Sequence, residues 1–128
     1  MKLAVAQGMV EAARAHARQK GMNPLVIVVL DARGVLKVGI AEDGTSLRRA
    51  DVATGKAHGA LAMGLGSRTL HTRAQNQPYF IAAVTHAVGG SLVPVPGGVL
   101  IRTKEGELLG AIGISGDSSD NDEEAAMA

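Results

Sequence analysis

Apolar residues recur at helical spacing over the first twenty positions. Leu3, Ala6, Val10, Ala13 and Ala17 share one stripe, while Glu11, Arg14, Arg18 and Gln19 fall mostly elsewhere. This predicts a helix over Leu3–Lys20, ended by Gly21 with Asn23-Pro24 just beyond. The period then changes. Leu25–Leu30 is an unbroken aliphatic and β-branched run, the pattern of a strand covered on both faces. Asp31-Ala32-Arg33-Gly34 turns the chain, Val35–Ala41 returns as a second strand, and Glu42–Thr45 reads as a loop.

Helical spacing resumes at Ser46–Gly64, with Ser46 as the expected cap and Leu47, Ala50, Ala53, Ala57, Ala60 and Leu61 on or near the buried side. Gly55, Gly59 and Gly64 cost about 1 kcal/mol each there relative to Ala, which predicts a close approach by another helix or by the sheet. A shorter helix runs from Gly66-Ser67 to about Ala74, and Pro78–Val88 is a further one with Pro78 in its first turn. Gly89-Gly90 ends it.

The stretch Ser91–Glu124 carries the most specific pattern. It reads as a strand from Ser91, a break at Pro96-Gly97-Gly98, a strand at Val99–Ile101, a polar turn at Lys104–Glu107 and a return strand at Leu108–Ser115. Asp117-Ser118-Ser119-Asp120 offers cap residues, and a short helix follows over Asp122–Ala128. Gly110, Gly113 and Gly116 in the return strand mark places where another backbone or a ligand comes close. Five strands joined largely by hairpins make an antiparallel sheet. With helices on both faces, the expected fold is an α/β three-layer α/β/α sandwich in one domain, residues 1–128. The stubby last helix predicts that Ala125, Ala126 and Met127 dock on a neighbouring subunit.

Composition narrows the function. With 13 basic and 12 acidic residues, one Tyr, one Phe and no Trp, the chain has neither the positive field nor the stacking platforms that nucleic acid needs. The absence of cysteine excludes disulfides and thiolate metal sites and fits a reducing, cytoplasmic compartment. No apolar run approaches the roughly 18 residues of a membrane span, and Gln7, Glu11 and Arg14 interrupt the faintly signal-like start.

The candidate chemistry is sparse. His16, His58, His71 and His86 form no zinc-type spacing, so no metal site is expected. His16 reads as solvated. His58 would ligate haem iron, orient a carboxylate or simply pack. Arg48, Arg49, Lys56 and Arg68 concentrate positive charge on the middle helices; converging near the glycine turn, they would hold an anionic group, and otherwise they form surface pairs with Asp51 or Glu42. Pro96-Gly97-Gly98 leaves its backbone open to whatever lies above. The expected ligand-binding set is therefore Lys56, His58, Arg68, Pro96, Gly97 and Gly98, and a valine at Gly98 is expected to block the ligand while sparing the fold. No residue is assigned a catalytic role.

At Val35–Ala41, in the helix carrying Lys56, in Pro96-Gly97-Gly98-Val99-Leu100-Ile101 and in Gly110–Asp117, the chain resembles the GlcG/HbpS-like family of haem-binding proteins. That family also supplies the C-terminal domain of PduO-type corrinoid adenosyltransferases. The resemblance covers essentially the whole chain. It implies a profilin-like sandwich with a five-stranded antiparallel sheet, a homo-oligomer, and haem binding in some members. The chain departs from haem-site expectation in its lack of aromatics, and its C-terminus reads as shorter than the family's usual end. The expected function is binding of haem or a related tetrapyrrole; the alternative is a small enzyme or accessory factor acting on an organic acid, with Lys56 and His58 polarising it. An apolar, Met-lined wall suits the first, and a narrow basic wall the second.

Overall fold

A computed structural model describes residues 1–128. The first helix, α1, spans Leu3–Gln19, followed by the hairpin of β1 (Val26–Asp31) and β2 (Leu36–Ala41). Three helices come next: α2 (Arg49–Met63), α3 (Ser67–Asn76) and α4 (Pro78–Ala87). A second hairpin, β3 (Gly98–Arg102) and β4 (Leu108–Ser115), leads into α5 (Ser119–Met127). The sheet order is β2-β1-β4-β3, with every pairing antiparallel.

β1 is an interior strand, paired with β2 on one side and β4 on the other. Its unbroken apolar run has a direct cause. Leu25, Ile27 and Val29 face Ala6, Val10, Ala13 and Ala17 of α1 and Ala125 of α5. Val26, Val28 and Leu30 face Ala53 and Ala57 of α2. Alternate residues thus enter different cores, and neither face is left for polar side chains. A third cluster, centred on Leu70, Ile81 and Leu92, holds the α3–α4 pair against the 90s segment.

The sheet has four strands, not five. Ser91–Val95 forms no ladder: Pro94 and Pro96 lack N–H donors, and Val93 N–H donates to Gly55 O on α2 at 3.1 Å. The segment lies along α2 instead. A Cβ at Gly55 would sit 2.6 Å from Val93 Cγ2, and one at Gly59 would sit 2.8 Å from Leu92 Cγ. The helical glycines do admit a close approach, but at Gly55 and Gly59 the partner is this extended segment and not another helix or the sheet. Gly64 lies outside the helix as its left-handed C-cap (φ 68°).

Two helix ends also shift. α2 begins at Arg49 with no side-chain cap, so Ser46 caps nothing. α5 begins at Ser119, with Ser118 Oγ accepting Asn121 N–H at 3.2 Å. Ala125 is buried in the chain's own core, not on a neighbour, while Met127 remains exposed.

Candidate ligand-binding site

Lys56 lies in the middle of α2 on the face turned to the sheet, and its side chain is only 2% exposed. A buried ammonium needs acceptors, because desolvation strongly disfavours the charged form. Its Nζ donates to Ile114 O at 2.9 Å and to Asp122 Oδ2 at 3.1 Å. Asp122 is equally buried, and its Oδ1 accepts Asp117 N–H at 2.9 Å. Burial pushes the Lys56 pKa down and the Asp122 pKa up, while their mutual attraction opposes both shifts. The result is an ion pair joining α2, the end of β4 and α5.

The glycine turn closes over this pair. Pro96, Gly97 and Gly98 are all buried. Gly97 has φ 129°, and a Cβ there would lie 2.6 Å from Ile114 O and 2.8 Å from Lys56 Nζ. A Cβ at Gly98 would overlap the Lys56 carbonyl and sit 3.0 Å from Ser67 Oγ. Gly98 N–H donates to that hydroxyl at 2.7 Å. The backbone that approaches Gly98 is therefore α2 itself, so a valine here strikes the fold, contrary to the expectation that it would be spared.

The remaining expected residues disperse. His58 Nδ1 meets Ser91 O at 2.7 Å, and His71 Nδ1 meets Pro94 O at 3.2 Å, so these two histidines clip the 90s segment to α2 and α3. Arg68 is half-exposed and reaches α5, with its guanidinium on Asp120 and on Glu123 at 2.9 Å. Arg48 pairs with Asp51 at 2.9 Å on the surface. The cations therefore do not converge: Lys56 meets the glycine turn, and Arg68 and Arg48 point to separate carboxylates. His16 is half-buried rather than solvated, with Nε2 3.5 Å from Glu124 Oε2. No cluster of three His, Asp or Glu side chains forms.

Asp122, Ser67 and Ser115 complete the polar interior alongside Lys56, and sequence reasoning gave none of them a site role. Asp122 was legible only as an acid near a helix start. A signal existed, because a lysine on the apolar stripe of a helix demands a buried anion.

The open spaces lie elsewhere. None of the four cavities is lined by Lys56, His58, Arg68, Pro96, Gly97 or Gly98. One, of about 310 Å³, is an apolar groove along the outer strand β3, bounded by Met9, Val99, Ile101, Ile112 and Met127, with Arg102 also on its wall. It borders the strand into which the glycine turn leads.

Residues 1–128 match the family described as haem degrading protein HbpS-like. A double mutant of Streptomyces reticuli HbpS superposes with a TM-score of 0.82 at 25% identity, covering 99% of this chain and 82% of that one. The structure described as a PduOC:heme complex gives 0.87 at 26% identity, with 99% and 90% covered. Klebsiella pneumoniae protein ORFY gives 0.88 at 22% identity, with 99% and 86% covered, a likeness of fold. No curated protein matches the chain in sequence.

Proposed function

We propose that this chain, which belongs to the HbpS-like family over its whole length, binds haem or a related tetrapyrrole in the groove beside β3. The observation that carries the reading is the chemistry of that groove. Eight of its nine lining residues are apolar, two of them Met9 and Met127, and the ninth is Arg102. Leu, Ile, Val and Met walls suit the faces of an apolar macrocycle, and thioethers adapt to irregular shapes. Arg102 is an exposed guanidinium at the rim, suited to a propionate. Were haem bound there, the Met9 and Met127 thioethers would be the soft donors at hand to hold its iron, and the group would supply redox chemistry.

The Lys56 locus enters this reading as support for the groove, since α5, which Lys56 anchors through Asp122, contributes Ala126 and Met127 to its wall. The organic-acid alternative loses ground at that locus. Lys56 is engaged with Asp122 and Ile114 O, and His58 with Ser91 O. Self-association belongs to the same proposal. α4 is nearly all apolar yet buries only Ile81, and Leu36, Leu47 and Tyr79 stand exposed. A stable monomer of 13.0 kDa by light scattering at micromolar concentration contradicts that part. The lack of cysteine supports a reducing, cytoplasmic setting.

The test is a hemin titration followed by absorbance. The expected result is a saturable Soret shift at one haem per chain or per interface. Met9→Ala combined with Met127→Ala should weaken it roughly tenfold or more, from lost apolar burial. A shift that never saturates, or that is the same in the double variant, removes the reading.

A further inference from the structure

Two cations on the middle helices lack a carboxylate partner, Arg49 and Arg73, and Arg73 is occupied by Gln77 Oε1 at 2.9 Å and by the Phe80 ring. Arg48 meets Asp51, Lys56 meets Asp122, Arg68 meets Asp120 and Glu123, and Arg14 and Arg18 share Glu42. Arg49 has no carboxylate partner. It is half-buried, and its Nη1 donates at 3.1 Å to Ser115 Oγ, a hydroxyl that is itself fully buried. A guanidinium carries five N–H donors in a fixed planar fork, so this bond leaves most of them free.

Those donors open on a cleft of about 250 Å³, walled by Asn23, Thr45, Ser46 and the backbones of Gly44 and Gly116. No apolar side chain apart from the Pro24 ring lines it, and no acidic one does. Asp117, next to Gly116, is committed to Asn23 N–H, Ser118 N–H and Asn121 Nδ2, and Asp51 to Arg48. Asp43, on the other side of Gly44, lines a different cleft. Arg49 also lies close enough to Lys56 to help lower its pKa, so two cations act on this end of the sheet and Asp122 neutralises one. Arg49 is the one charged side chain that lines the cleft, while Asp117 lies behind its Asn23 wall with its oxygens turned to N–H donors.

We propose that the cleft around Arg49 binds a small oxyanion, a carboxylate or a phosphate, gripped by the guanidinium fork with the Ser46 hydroxyl beside it, the Thr45 hydroxyl being donated to Glu42 O at 3.1 Å. The ligand class follows from size and polarity. A cavity below the roughly 300–1,000 Å³ of drug-sized sites takes a small ion or metabolite. The hydroxyl and amide walls suit oxyanion oxygens, and planar bidentate recognition is what arginine does best. The site shares no lining residue with the β3 groove, so it stands or falls independently of tetrapyrrole binding.

The experiment titrates the full chain separately with sodium phosphate and sodium acetate, using sodium chloride at matched ionic strength as the control, followed by amide and arginine Nε resonances. Saturable shifts confined to Gly44, Thr45, Ser46, Arg49 and Gly116 are expected with at least one of the two anions, and which one saturates first assigns the class. Arg49→Ala should weaken binding roughly tenfold or more, the loss of a charged hydrogen-bonding group. Arg48→Ala removes the same charge from the exposed neighbour and should leave binding intact, and hemin titration of Arg49→Ala should match the parent. Shifts equal to those of chloride, shifts spread over all surface cations, or equal losses in the two variants overturn the proposal. Should Arg49→Ala melt early, Arg49→Gln keeps the aliphatic stem and a polar end without the charge, and is read in the same way.

Discussion

Removing one partner of the Lys56–Asp122 pair tests the reasoning about the interior directly. Asp122→Asn keeps an oxygen for Asp117 N–H but puts an amide where Lys56 Nζ needs an anion 3.1 Å away. Lys56→Met fills similar volume and leaves Asp122 charged, with only backbone donors. Breaking a buried ion pair from one side costs about 3–5 kcal/mol, because the surviving charge stays uncompensated. Lys56→Met should fall at the low end, since Asp122 keeps the Asp117 N–H and a second one from Gly116. Asp122→Asn should fall higher, because Ile114 O alone remains for the ammonium. The double variant buries no charge. It loses chiefly the bond to Ile114 O, about 1 kcal/mol, and should be more stable than either single change. With unfolding entropy near 2.1 cal/mol/K per residue, a loss of 3 kcal/mol lowers the Tm of this chain by roughly 11 °C. Urea and thermal denaturation followed by circular dichroism at neutral pH measure all four proteins. Single changes costing under about 1 kcal/mol, or a double change equal to their sum, would refute the account of a coupled buried pair.

Three further outcomes follow from packing, capping and charge. Gly98→Val should lower stability by about 1–3 kcal/mol or more through overlap with the Lys56 carbonyl, whereas a full-strength melt in the variant contradicts the close approach. Ser118→Ala should cost about 1 kcal/mol and speed amide exchange in α5 ahead of the sheet, since it removes the acceptor for Asn121 N–H. Asp117→Asn should flatten the acid limb of the melting curve. In the folded chain the Asn23 N–H, first among several donors, holds the Asp117 carboxyl below its ordinary 3.8. The unfolded chain therefore takes up that proton first as pH falls, and stability drops from about pH 4 downward. Asp122 acts in the opposite sense: its raised pKa makes the folded state the better proton acceptor just above 3.8. An acid limb as steep in Asp117→Asn as in the parent rejects the assignment.

The apolar spacing carried most of the architecture. The run at Leu25–Leu30 announced an interior strand, and the stripe through Ala6, Val10, Ala13 and Ala17 announced its cover, because both patterns record burial by local period. The fifth strand failed because Leu92, Val93 and Val95 look β-prone locally, while Pro94, Pro96 and the glycines of α2 decide their partner from a distance. The glycine turn reads in sequence as backbone open to a ligand, whereas the backbone of α2 fills that approach. Its neighbour was not legible, since a buried Lys56 carbonyl and an Asp122 far along the chain have no local period. The β3 groove was equally hidden: Met9, Ile101 and Met127 come from three separate elements.

The strand order also sets when the molecule becomes itself. β1 is made early, yet its partner on one side is β4, with Val26 opposite Ser115 and Asp31 opposite Gly110. A nascent chain that has reached α4 carries β1 with one ladder closed and one open, and with Ile112, Ile114 and Ala125 still missing from the core beneath it. Such an edge, rich in valine and isoleucine, is a template for pairing with other chains. The hairpin β3–β4 and then α5 are made later and close the gap, converting an open, aggregation-prone half-sheet into a finished domain. Translational pausing between Ala87 and Asp122 should therefore cost more soluble yield than pausing before Val26, when no β1 edge is yet exposed.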